Sequence, residues 1–266
     1  MKACIVLALL FASVAAPPAL AVSTTNYSDQ WWNAAESGWG ASALQQGDTI
    51  FFDIFVYGAQ SQPTWFTAAA VYQATTAQGH QIFSGDLNAT TGPYYGGGSF
   101  NPNTVTRTRV GTLTFEADSV DTATLTYTVS GVTVTKSVTR QSWKTENIAG
   151  SYYGGLIYNV SGCIPASLNG RFADLAALTI SQSGAAITIS ESVASGGSCT
   201  YTGTYTQAGH MGTIQGNYSC TNGGRGAFTA FEIEVNTSGL TGRFVANNQY
   251  CPTIQGRLGG LRSTPY

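Results

Sequence analysis

Cys199-Thr200-Tyr201-Thr202-Gly203-Thr204-Tyr205, followed by Ile214-Gln215-Gly216-Asn217-Tyr218-Ser219-Cys220, is the stretch that decides the fold. Residues i, i+2 and i+4 of a strand share one face, so each segment sets a glycine between two large apolar side chains on one side. If the two pair as a hairpin with Gly203 opposite Gly216, Tyr201 falls opposite Tyr218 and Cys199 opposite Cys220. Facing positions of an antiparallel pair bring Cβ atoms close enough for a disulfide, so register and bridge predict each other. The pattern returns as Leu240-Thr241-Gly242-Arg243-Phe244 and Ile254-Gln255-Gly256-Arg257-Leu258. A glycine in mid-strand weakens the strand, and its repetition predicts strong coiling or close backbone approach, as tightly curved barrels need.

Working outward, Cys163 and Cys251 remain. Four cysteines in an oxidising compartment allow three connectivities. With Cys199–Cys220 fixed by register, the second bridge is Cys163–Cys251, joining the end of a first strand to the approach of the last. Those strands are neighbours in an up-and-down barrel, so this bridge would staple its closure. No Cys-x-x-Cys pair exists and both histidines are remote in sequence from the cysteines, so neither zinc at the cysteines nor any other metal or cofactor is expected.

The rest of the chain reads the same way. No segment sustains a helical period; Thr, Val, Tyr, Phe and Ile alternate, punctuated by Gly, Asn and Ser. A hydrophilic seam at Ser142–Gly150 separates a half without cysteines from one that holds four, predicting domains at 26–143 and 147–262. The expected architecture is all-β, two small antiparallel up-and-down β-barrels in tandem. Charged residues are 9% of the chain, against roughly a quarter in an ordinary soluble domain, and the net charge is −2. A nucleic-acid binder needs a clustered basic face, so that class is excluded. With 43% hydrophobic and 12% aromatic residues, disorder is excluded too. Lys2, the apolar run Ile5–Ala16 and the small residues of Ala19-Leu20-Ala21 predict a secretory signal over 1–21 that carries Cys4 away. No later stretch is apolar enough to span a bilayer. The expected location is periplasmic or extracellular.

The first half carries a tryptophan block, Trp31-Trp32-Asn33-Ala34-Ala35-Glu36-Ser37-Gly38-Trp39-Gly40, then Gln46-Gly47-Asp48, an aromatic strand, and Pro63-Thr64-Trp65. It resembles a largely uncharacterised domain of exported Gram-negative bacterial proteins with the signature Trp-Asn-x-x-Glu-Ser-Gly-Trp-Gly. That resemblance covers 31–141 and implies no activity. The signature usually carries Pro near Ala34, and its aromatic strand does not include a counterpart of Asp53. The second half opens with Gly150-Ser151-Tyr152-Tyr153-Gly154 and has a late arginine, Arg257. It resembles avidin and the wider lipocalin superfamily, which implies an antiparallel barrel with a small ligand at its mouth.

Candidate binding residues are Trp31, Trp32, Trp39 and Trp65, as an aromatic platform or as barrel filling, with Glu36 and Asp53 as carboxylates beside them. Glu36 is expected to accept hydrogen bonds from the Ser37-Gly38 turn backbone. Thr49–Tyr57 is apolar on both faces, so one face is core and the other needs cover from the partner domain, another subunit or a ligand. Asp53 on that strand needs a partner such as Arg107 or Arg109. His210 reads as an exposed hairpin tip, and Asn88–Asn103 as a long loop, a mobile excursion or a lid over the barrel mouth. These readings make a non-enzymatic, exported binding module for a small apolar or carbohydrate ligand or a surface partner. The alternatives are a glycan hydrolase with Glu36 as acid, paired with Asp53 or Asp48, and a structural cell-surface assembly protein or homo-oligomer.

Overall fold

The computed structural model describes residues 25–263, so the signal segment expected over 1–21 lies outside the described residues. Eight strands form the first barrel: β1 (Asp29–Trp32), β2 (Gly40–Gln46), β3 (Thr49–Tyr57), β4 (Pro63–Thr75), β5 (Gln81–Thr91), β6 (Thr106–Ala117), β7 (Thr122–Val129) and β8 (Val132–Arg140). Eight more form the second: β9 (Gly150–Ser161), β10 (Gly170–Ser183), β11 (Ala186–Val193), β12 (Ser198–Ala208), β13 (Met211–Cys220), β14 (Arg225–Val235), β15 (Gly239–Ala246) and β16 (Thr253–Arg262). Each strand pairs antiparallel with its sequence neighbours, β1 closes on β8 and β9 on β16.

The hairpin β12–β13 has the register read from the glycines: Cys199 faces Cys220, Tyr201 faces Tyr218 and Gly203 faces Gly216. Cys199–Cys220 and Cys163–Cys251 are disulfides, the latter just beyond the ends of the paired strands β9 and β16. Disulfides of this kind belong to a non-cytoplasmic environment. A Cβ on Gly216 would collide with the Thr202 carbonyl and one on Gly203 with that of Gln215, so close backbone approach is what these glycines allow. In β3, Ile50, Phe52 and Ile54 are fully buried in a core with Trp31, Phe83 and Phe115, whereas Phe51, Phe55 and Tyr57 point outward and stay exposed. Cover from the partner barrel, one of the expectations for that face, is therefore absent among the described residues.

Both barrels are sealed by the same device. Trp31 on β1 donates from Nε1 to the Tyr27 carbonyl (3.0 Å), and Tyr152 on β9 donates its hydroxyl to the Ile148 carbonyl (2.8 Å). The Tyr27 and Ile148 amides donate in turn to Gln45 Oε1 (2.7 Å) and Gln182 Oε1 (2.8 Å). Those glutamines donate to the carbonyls of Gly47 and Gly184. An arginine at the end of each last strand then covers the ring: Arg140 Cζ lies 4.9 Å from the Trp31 centroid and Arg262 Cζ 5.0 Å from that of Tyr152. The late arginine is therefore Arg262 and not Arg257, which is exposed and pairs across the sheet with Ile157. Two barrels closed by equivalent residues make the chain a structural repeat.

The sealed end of the first barrel meets the β12–β13 hairpin of the second. Asp29 Oδ2 accepts from Arg140 Nη1 (2.9 Å), the His210 amide (3.0 Å) and His210 Nδ1 (2.7 Å), and His210 Nε2 lies 3.6 Å from Glu234 Oε1. Thr25 donates to Glu232, and Gln207 bridges to the backbone of Lys144 and Glu146. His210 is thus a half-buried inter-barrel contact, in contrast to the exposed tip expected. The bond to Asp29, then that to Glu234, raises its pKa from 6.5 to about 9 against the opposing effect of burial. Burial works to raise Asp29, but the hydrogen bonds from His210 and Arg140 outweigh it and hold the carboxyl below its ordinary value. A raised histidine pKa stabilises the folded state fully below the unfolded value near 6.5, and that contribution disappears as pH rises through about 9. The ring is 38% exposed, so screening reduces the effect to about 1 kcal/mol. Thermal melts between pH 6 and 10 are expected to show this decline, and His210→Gln to flatten it; an unchanged profile in that variant refutes the assignment.

Candidate functional site

The outward side chains of β2, β3 and β4 stand in cross-strand rows. Leu44, Phe51 and Ala69 form one row; Ser42, Asp53 and Thr67 the next; Gly40, Phe55 and Trp65 the third; Tyr57 and Pro63 the fourth. Aromatic rows thus flank a row made of a hydroxyl, a carboxylate and a second hydroxyl. Trp32, one residue beyond the Trp31–Ala41 pair, extends the third row onto β1. The signature explains why the rings lie where they do. A Cβ on Gly40 would stand 2.9 Å from Phe55 Cζ, so the bare glycine backbone is covered by that ring, which fixes its position. Phe55, Tyr57 and Trp65 remain 43%, 61% and 54% exposed. Rings this open on a continuous strand face are contact surface available to a partner.

Three of the six sequence-predicted residues, Trp32, Asp53 and Trp65, are on this face. Asp53 is set between Ser42 and Thr67, and of the two arginines expected for it Arg109 is taken by Asp86 (2.6 Å), while Arg107, opposite Thr90, makes no ion pair with it among the described residues. Its outward position removes the need for a buried counter-charge. Trp31 is core, fully buried against Phe115, and takes no part.

Trp39 and Glu36 form a second, separate group at the open end of the first barrel. A 3-10 turn at Ala34–Glu36 leads into it, capped by the Asn33 side chain accepting from the Ala35 amide. Lys136 shares the inward face of β8 with Val138 and Arg140 and reaches Glu36 Oε2 at 2.7 Å, while Trp39 Nε1 donates to the same oxygen at 3.0 Å. Trp39 also packs on the core, and its ring lies 5.8 Å from Lys136 Nζ. Glu36 therefore bonds a lysine and an indole, not the Ser37-Gly38 backbone that was expected to hold it. The hydrogen bond from Lys136 chiefly, aided by Trp39, lowers the Glu36 pKa. A general acid at neutral pH needs a raised pKa, so this environment opposes the hydrolase alternative.

The loop expected over 88–103 is shorter, since β5 runs to Thr91; it spans 92–105 at the same open end and exposes Tyr94, Tyr95 and Phe100. Inside the second barrel Glu191 is buried and accepts from the Tyr201 hydroxyl (2.6 Å), a pair that sequence reading missed; burial pushes both pKa values up. An open hollow of about 470 Å³ between Tyr153, Leu240 and Leu261 is lined by one carboxylate, Glu234, already engaged by His210. Among the described residues no helix is long and apolar enough to cross a membrane. No family model matches the chain, and no curated protein matches it.

Proposed function

We propose that the chain is an exported, non-enzymatic binding module that takes a carbohydrate chain on the outer face of the first barrel. The observation that carries this reading is the alternation of rows: Phe55 and Trp65 on one side, Phe51 on the other, and Ser42, Asp53 and Thr67 between them. A sugar ring has an apolar face edged by hydroxyl groups, and this surface offers rings for the one and hydrogen-bond partners for the other. The barrel interior is not the site in this reading, because Trp31, Phe52, Phe83, Phe115 and Leu125 already fill it. The two disulfides support export.

Affinity electrophoresis and isothermal titration against cello- and chito-oligosaccharides and their polymers test it. Trp65→Ala combined with Phe55→Ala removes two exposed rings and is expected to weaken binding by at least tenfold, about 1.4 kcal/mol or more, with melting little changed. Failure of every glycan to bind, or equal binding by the double variant, overturns the reading. The exposed rings also favour a second reading, self-association through the same face. In that case light scattering finds a concentration-dependent oligomer that the double variant abolishes.

A further inference from the structure

Away from the aromatic face, three donor side chains converge at the sealed end of the first barrel. His80 ends the β4–β5 turn, Glu116 points outward from β6, and Asp118 follows that strand. The register that sets Gln81 opposite Ala117 and Ile82 opposite Glu116 brings them together. His80 Nδ1 lies 3.0 Å from Glu116 Oε1 and 3.5 Å from Asp118 Oδ1, and one donor atom from each residue lies within 4.8 Å of the others. Two ligand atoms bound tetrahedrally to zinc at about 2.0–2.1 Å stand roughly 3.4 Å apart, a separation that the two observed distances bracket. We propose that His80, Glu116 and Asp118 form a binding site for a divalent ion of the zinc class, with the remaining coordination position open to water.

The charge pattern separates this site from an ordinary surface ion pair. Two carboxylates face one imidazole nitrogen, and among the described residues no lysine or arginine lies within ion-pair distance of either acid. With the imidazole neutral the cluster carries two negative charges, which a divalent ion neutralises. The donors are also held before any ion arrives. The His80 amide donates to Thr76 Oγ1 (3.1 Å) and its carbonyl accepts from the Thr76 amide (2.8 Å). The Asp118 amide donates to the Thr122 carbonyl, and Arg140 Nε donates to the Val120 carbonyl (2.7 Å) of the same turn. Thr124 supports the second Asp118 oxygen from 3.4 Å. Each donor side chain is about one-third exposed, so an ion has access. One imidazole with two carboxylates suits zinc, whereas calcium takes six to eight oxygens and is disfavoured.

The test is isothermal titration of the full chain, stripped with chelator, with zinc chloride and in parallel calcium chloride. The expected result is one saturable zinc site per chain, a zinc-dependent rise in melting temperature, and at least tenfold weaker binding of calcium. His80→Ala and Glu116→Gln are each expected to weaken zinc binding at least tenfold while the metal-free protein melts as before. His210→Ala tests the competing Asp29–His210–Glu234 cluster and is expected to leave the affinity unchanged. Absence of saturable zinc binding, an affinity indifferent to His80→Ala, or a loss only in His210→Ala overturns the proposal.

Discussion

Replacing Cys163 and Cys251 together by alanine is expected to destabilise the second barrel by about 4–5 kcal/mol, and the Cys199→Ala/Cys220→Ala pair to do so by about 3 kcal/mol. The difference follows from chain length: the first bridge closes a separation of 88 residues and the second one of 21. Restricting the longer loop removes more freedom from the unfolded chain. Position adds to the effect. Cys163–Cys251 lies beside the β9–β16 pairing that turns an eight-stranded sheet into a barrel, and losing that pairing would leave two open edges. The measurement is unusually clean because all five tryptophans lie at or before Trp143 and both bridges beyond it. Tryptophan fluorescence thus follows the first barrel, and far-ultraviolet circular dichroism follows both. Urea melts of the two double variants should shift only the transition that is silent in fluorescence. Equal destabilisation by the two pairs, or a larger effect from Cys199–Cys220, contradicts the account.

The register of the second barrel was legible because cysteine, glycine and tyrosine fall on one strand parity, and a one-residue slip would have sent all of them to the other face. The aromatic block was legible as a unit but not in its parts. Trp31 and Trp32 are adjacent, so alternation must send one inward and the other outward, and with apolar neighbours on both faces the pattern does not choose. The same ambiguity hid which rings of β3 would be exposed. Glu36 was misread because local turn chemistry was considered and its partner, Lys136, lies a hundred residues away on the last strand of the barrel. The late arginine was a different kind of miss. Arg262 shares strand parity with the inward-facing Ile254 and Leu258, while Arg257 does not, so the correct residue was available from the alternation alone. The repeat itself was concealed by strand length: β9 and β10 are 12 and 14 residues long where β1 and β2 are 4 and 7. Unequal spacing between Trp31 and Gln45 on one side and Tyr152 and Gln182 on the other defeats a search for a fixed period.

Arg140→Ala is expected to cost the first barrel about 3–5 kcal/mol, the range for removing one partner of a buried charged network. Its side chain is fully buried. Nε donates to Val120 O (2.7 Å), Nη2 to Asn26 O (2.7 Å), and Nη1 to Ser28 O (3.2 Å) and Asp29 Oδ2 (2.9 Å). Alanine leaves those carbonyls without their donor, uncovers the Trp31 ring, and deprives the Asp29 carboxylate of its permanent cation. Arg140→Lys restores charge but not the planar fork, so it should recover less than half of the loss. Because Asp29 also receives His210, the damage extends to the inter-barrel contact. The titratable and charged groups around Asp29 are then His210, Glu234 and Asp121 without Arg140, and the decline of stability above neutral pH should persist in the variant on a lower baseline. The fluorescence-detected urea transition measures the first effect and its pH dependence the second. A variant that melts within 1 kcal/mol of the parent, about the worth of an ordinary hydrogen bond, would mean that the ring-and-arginine seal is decoration on a barrel held shut by its core alone.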